Sequence, residues 1–147
     1  MKPPATAATF RRKLAAWYRR NHRKLPWRET RDPYRVLVSE LMLQQTQVSR
    51  VLDYYEPFLA RFPDLGALAA ARPSQVREEW EGLGYYARAR NLHALSRRVV
   101  RELDGVMPSD PADLRRLPGV GPYTAGAVAS FAFEKRAALV DTNVARV

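Results

Sequence analysis

One carboxylate on an apolar helix face and one glycine-rich turn are where residue type and spacing point first to chemistry. Glu40 lies four residues after Val36 and three before Leu43, in a stretch whose apolar residues recur at helical spacing, so its carboxyl interrupts an apolar face. Desolvation there disfavours the charged form, which suits a general acid that keeps its proton near neutral pH. A solvated helix glutamate is the alternative that position alone leaves open. Further on, Leu117-Pro118-Gly119-Val120-Gly121 joins two helical runs. Its glycines allow unusual dihedrals and let a phosphate approach the backbone closely, with the N–H groups of the helix opened by Pro122 pointing at it; an ordinary glycine turn is the other reading. Such a grip holds a nucleic acid backbone without reading its sequence. Asp141, before Thr142-Asn143, reads on its own as a helix N-cap.

The elements that must position these residues are helical nearly throughout, and the expected fold class is all-α. A first helix is expected from about Thr9 to Asn21, broken by Leu25-Pro26-Trp27. Asp32-Pro33 caps a second helix through Leu43, and a third carries Val48, Val51, Leu52, Tyr55, Leu59 and Phe62 inward. Short helices near Leu65–Ala71 and Pro73–Trp80 precede Gly82-Leu83-Gly84, which turns the chain into a basic helix from about Ala87 to Leu103. Ser109-Asp110-Pro111 caps a helix to Leu117, Pro122 opens the next to about Phe133, and a link from Ala138 to Val140 leads to a last short helix after Asp141.

The chain of 147 residues, 46% hydrophobic, is long enough for one core. Its 25 Lys+Arg against 15 Asp+Glu give a formal charge of +10, which favours an acidic polymer as partner. No apolar run approaches the roughly 20 residues of a spanning helix, and Met1-Lys2-Pro3-Pro4 has no apolar signal core behind it; the expected location is the cytosol. With no cysteine, disulfides, thiolate zinc sites and a cysteine-ligated iron–sulfur cluster are excluded within these residues, and His22 and His93 alone make a poor metal site. His93 reads as structural.

Several longer strings occur together and in order: Leu25-Pro26-Trp27-Arg28; Ser39-Glu40-Leu41-Met42-Leu43-Gln44-Gln45-Thr46-Gln47-Val48; Gly82-Leu83-Gly84-Tyr85-Tyr86-Ala87-Arg88-Ala89-Arg90-Asn91-Leu92; and the hairpin followed by Asp141. Over about Phe10 to Val147 the sequence resembles the helix-hairpin-helix glycosylase superfamily, and within it the bacterial adenine glycosylases. The resemblance implies a six-helix barrel domain with an incomplete second helical domain, residues 25–147 forming the glycosylase core and residues 1–24 an N-terminal helix that would pack on a missing cluster segment. It implies excision of adenine mispaired with 8-oxoguanine or guanine in double-stranded DNA, by a monomer associated with the nucleoid.

By the same resemblance, Glu40 is the general acid and Asp141 the carboxylate that faces the sugar, while Tyr123 stands where the strand-nicking endonuclease-type members carry a lysine. A Schiff base with the sugar needs an amine, so hydrolysis without efficient strand cleavage is implied. Trp27, Arg28, Leu43 and Val48 would line the adenine pocket, with core packing the alternative for Trp27. Gln45 and Tyr85 would be wedges offsetting the cost of flipping the base, Tyr85 having core packing as its alternative. Arg88, Leu117, Gly119, Val120, Gly121 and Thr124 would meet DNA, with a monovalent cation at the hairpin.

The resemblance also implies a longer protein, continuing into a four-cysteine [4Fe-4S] segment and a domain that senses 8-oxoguanine, with Phe10, Leu14 and Trp17 facing the missing cluster segment. Thr142 departs from the glycine more usual after the aspartate. A noncatalytic DNA-binding module, a thymine-mismatch glycosylase and an endonuclease-type glycosylase with lyase activity are the competing readings; Tyr123 and Gln44-Gln45 argue against the last.

Overall fold

A computed structural model describes residues 6–137 and 139–146; the Met1–Pro4 start, Ala138 of the link and Val147 lie outside the described residues, as do the side chains of Thr142 and Asn143. The helices are α1 (Ala7–Asn21), α2 (Pro33–Leu43), α3 (Val48–Arg61), α4 (Leu65–Ala70), α5 (Pro73–Trp80), α6 (Ala87–Glu102), α7 (Pro111–Leu114), α8 (Pro122–Phe133) and α9 (Thr142–Arg146), with a 3-10 turn at Pro26–Arg28. The all-α expectation holds, with no strand among the described residues.

The boundaries follow local chemistry. The Asp32 carboxylate accepts from the N–H groups of Tyr34 and Arg35, and Pro33 supplies a preset φ at the first helical position of α2. Asp64 caps α4 and Asp110 caps α7 in the same manner. Helix α1 starts two residues before the expected Thr9, because the Thr6 hydroxyl accepts from Thr9 N–H at 3.3 Å. Helix α7 stops at Leu114 rather than Leu117: the N–H groups of Arg116 and Leu117 bond three residues back, to Asp113 and Leu114, tightening the chain into the hairpin.

Helix α2 runs through the core. Val36, Leu37, Val38, Leu41 and Met42 are all at most 2% exposed, packed against α3 and α8. Ala125, Ala127, Val128 and Ala129 of α8 are fully buried, and such small side chains let the two backbones approach closely. Helix α1 stands apart, with no buried residue and with Phe10, Leu14 and Trp17 half or more exposed.

Candidate active site

A cavity of about 1220 Å³ opens beside α2. Glu40, Asp141 and Tyr123 all line it, and so do Trp27, Arg28, Leu43, Val48 and Gln45. Residues from α1, the 3-10 turn, α2 and the turn after it, the start of α3, α8 and the link before α9 are thereby brought to one space.

Glu40 is half-buried on α2 and lines the cavity. Burial pushes its carboxyl up from 4.5 to about 7, and the negative charge of Asp141 pushes in the same direction. At neutral pH a substantial fraction of Glu40 therefore holds a proton in a partly desolvated site. Asp141 both caps and faces the cavity: its Oδ1 accepts from Val144 N–H at 2.7 Å, its backbone carbonyl accepts from Ala145 N–H at 2.9 Å, and its side chain remains on the cavity wall. The Tyr123 hydroxyl is pushed up to about 12 by burial first and by Glu40 and Asp141 second, so it stays neutral at physiological pH. It offers a hydrogen bond but no amine.

Trp27 satisfies both of its readings. It is 8% exposed and packs edge-on against Tyr55 at 5.3 Å between ring centroids, yet part of the indole faces the cavity. Arg28 is exposed; its Nη1 donates to the Arg23 carbonyl at 3.1 Å and its guanidinium lies 5.8 Å from the Tyr18 ring centroid. Gln44, Ser39 and Tyr18 also line the cavity, where the sequence analysis had not placed them. For Gln44 the anchor is tertiary: its Nε2 donates to the Thr124 hydroxyl on α8 at 3.2 Å, a partner eighty residues away. Nothing local in the sequence marks that pair.

The wedge candidates share a feature that no motif displays. Gln45 (φ 57°) and Tyr85 (φ 49°) are both non-glycine residues in the left-handed region, both exposed. Tyr85 lies outside the cavity wall and is 61% exposed, which sets aside core packing for it.

At the hairpin only Gly119 needs glycine's freedom: its φ is 76°, and a Cβ there would come within 2.7 Å of Asn91 Cβ on α6. Gly121 has ordinary extended dihedrals as the N-cap of α8, and a Cβ on it would meet open space. Leu117, Val120 and Thr124 are buried, so their side chains build the turn and any meeting with DNA is left to backbone groups. From α6, Arg98 Nη1 steadies the turn through the Arg116 carbonyl at 2.7 Å. Arg88 requires a correction. Expected among the DNA contacts, it is 7% exposed, and its donors are taken up by backbone carbonyls. His93 lies away from the cavity, in the core.

A family profile described as "HhH-GPD superfamily base excision DNA repair protein" matches residues 38–147. The chain belongs to that superfamily. Among curated proteins it is similar to the adenine DNA glycosylases of Rattus norvegicus (47% identical, over 97% of this chain and 30% of that protein) and of Mycobacterium tuberculosis strain H37Rv (48%, over 91% of this chain and 44% of that protein). The chain thus spans between 30% and 44% of the length of these relatives. Among solved structures it is similar to a thermostable thymine-DNA glycosylase (TM-score 0.86, 32% identical, covering 92% of this chain and 63% of that one) and to a non-covalent endonuclease III–DNA complex (TM-score 0.78, 25% identical, 96% and 66%).

The iron–sulfur cluster implied by the resemblance does not fit the residues present. The chain has no cysteine, and among the described residues no group of three or more His, Cys, Asp or Glu could hold a metal ion. No helix among them is long and apolar enough to cross a membrane.

Proposed function

We propose that this chain hydrolyses the N-glycosidic bond of adenine mispaired with 8-oxoguanine or guanine in double-stranded DNA. The observation that carries the reading is the pairing of Glu40, its carboxyl raised to about 7, with Asp141 on the wall of one cavity. Departure of adenine leaves positive charge on the sugar and negative charge on the base. Glu40 donates its proton to the departing ring, which makes adenine a better leaving group. Asp141 offsets the oxocarbenium-like charge, in a site where low dielectric strengthens the interaction. Water completes the hydrolysis at the sugar, and Glu40, now ionised, can accept a proton from it. Tyr123 forms no Schiff base, so the abasic product remains an unbroken strand until treated with alkali.

Trp27, Leu43 and Val48 offer the flipped base an apolar wall and Arg28 a donor. Gln45 and Tyr85 fill the space that it leaves in the duplex, and the hairpin backbone at Gly119 and Gly121 holds a neighbouring phosphate. A monovalent cation at the hairpin would add positive charge to that grip. The protein acts as a monomer in the cytoplasm, at the nucleoid, and any [4Fe-4S] cluster would belong to a segment outside these residues.

The test is incubation with a duplex carrying adenine opposite 8-oxoguanine, scored for cleavage with and without alkali, beside Glu40→Gln and a thymine–guanine duplex. Alkali-dependent cleavage at adenine, lost in the variant, is expected. Cleavage at thymine instead would favour the activity named for the structural neighbour at TM-score 0.86. Salt-sensitive binding without any cleavage would reduce the chain to a DNA-gripping module.

A further inference from the structure

Arg88 lies nearly buried without meeting a carboxylate among the described residues, and every hydrogen bond it makes ends on a backbone carbonyl. Its Nη1 donates to the carbonyls of Leu41 at 2.9 Å and Met42 at 2.8 Å, and to that of Gln44. These are carbonyls left open where α2 ends, and they carry the negative end of that helix's dipole, so the guanidinium's charge is matched without an acid. Its Nη2 donates to Gly84 at 3.0 Å and its Nε to Tyr85 at 3.4 Å, both in the turn that leads into α6. The guanidinium carbon sits 5.5 Å from the Trp80 ring centroid and 5.4 Å from that of Tyr85. One side chain thereby joins two loops far apart in sequence, at Gln44 and at Gly84, and those loops carry Gln45 and Tyr85 in their left-handed conformations.

We propose that Arg88 is a positioning residue that locks Gln45 and Tyr85 into one rigid, two-pronged wedge before DNA arrives. The inference rests on the reading that the chain opens a duplex to extract a base. A left-handed backbone at a residue with a Cβ is disfavoured and persists only where its surroundings over-determine it. The surroundings here are unusually complete on the Tyr85 side: Trp80 Nε1 donates to the Gly84 carbonyl at 3.1 Å, Tyr54 Oη to that of Glu81 at 2.8 Å, and Arg50 Nε to that of Gly82 at 3.1 Å. Among the described residues, only Arg88 links this turn by hydrogen bonds to the end of α2. A planar fork of donors can span both loops, whereas an ammonium presents three donors around one point and serves one loop at a time. A wedge ordered in advance leaves its ordering entropy out of the cost of binding.

The test is Arg88→Lys in the full chain, which keeps the charge and removes the fork. Amide hydrogen exchange of the free protein should rise roughly five- to thirtyfold, the factor for losing the restraint on one left-handed residue, at residues 44–46 and at residues 83–86 together, with the centres of α3 and α8 unchanged. The slope of duplex affinity against salt should not change, whereas loss of a phosphate contact would lower it by about 0.9. With 2-aminopurine opposite guanine, the fluorescence rise on binding should fall in Arg88→Lys, and that loss should vanish in a Gln45→Ala/Tyr85→Ala background. If Arg88→Lys folds poorly, adding Gln45→Gly, which adopts a positive φ freely, should restore folding. Exchange that rises in one loop only, or throughout the chain without rescue by Gln45→Gly, or a salt slope that drops by about one would overturn the clamp. A wild-type protein that produces no fluorescence rise would instead sink the excision reading, and the exchange experiment would still decide the role of Arg88.

Discussion

Glu40 and Asp141 face one cavity but are held by opposite means. Glu40 sits within an eleven-residue helix, with Leu37 at 0% and Leu41 at 1% exposure on either side of it. Asp141 stands at the head of a five-residue helix in which Val144, Ala145 and Arg146 are exposed, and among the described residues its position is kept by one cap hydrogen bond and one backbone bond. The proton affinity of the first is a property of the packed core. The placement of the second is a property of a few residues of local chain, and so short a helix is marginal on its own. Substitutions should therefore separate charge from placement at Asp141, and pH should report on the core at Glu40.

The largest expected effect is on chemistry at the core-held carboxyl. Glu40→Gln should lower single-turnover excision by roughly 10²–10⁴-fold, the range for a positioned general acid; an unchanged rate would remove Glu40 from the reaction. Asp141→Asn retains a good N-cap, so the melting temperature should hardly move while excision drops about 10²–10³-fold. A matching loss of helix content would show that placement, not charge, had failed. Leu41→Ala, measured by urea unfolding, should cost about 2–5 kcal/mol because the residue is fully buried on the helix that carries Glu40.

Glu40 also makes a pH prediction with a definite sign. Its folded pKa of about 7 lies above the ordinary 4.5, so the folded state binds the proton more tightly than the unfolded state. The stability this confers is complete below pH 4.5 and is lost as pH rises towards 7, amounting to roughly 3 kcal/mol. Glu40→Gln should flatten that stretch of the stability curve and be the more stable protein at pH 8; parallel curves for the two proteins would contradict the raised pKa. In the wild type, excision should decline on the alkaline side of about pH 7. The smallest effect is expected at the locally held carboxylate: Asp141→Ala should cost about 1 kcal/mol from the lost cap, and a null result would mean that α9 does not depend on it.

What the sequence determined by itself is what depends on neighbours along the chain. Proline at the first helical position, aspartate before it and apolar residues at three and four spacing placed α2, α3, α5 and α8 to within a residue; α4 and α6 were drawn one residue too long and α7 three, because the tightening after Leu114 is a three-residue bond pattern that periodicity does not register. The position of Glu40 on an interrupted apolar face was legible for the same reason. Only the tertiary structure decided how far its carboxyl is desolvated, because that depends on how closely α8 and the link to Asp141 approach. The fate of Arg88 was decided there too. An arginine on a basic helix reads as a solvated charge, and nothing within a few residues reveals that the carbonyls ending α2, more than forty positions earlier, are waiting for its guanidinium. Backbone acceptors carry no side-chain signature, so a charge that pairs with them becomes visible only when the chain has folded.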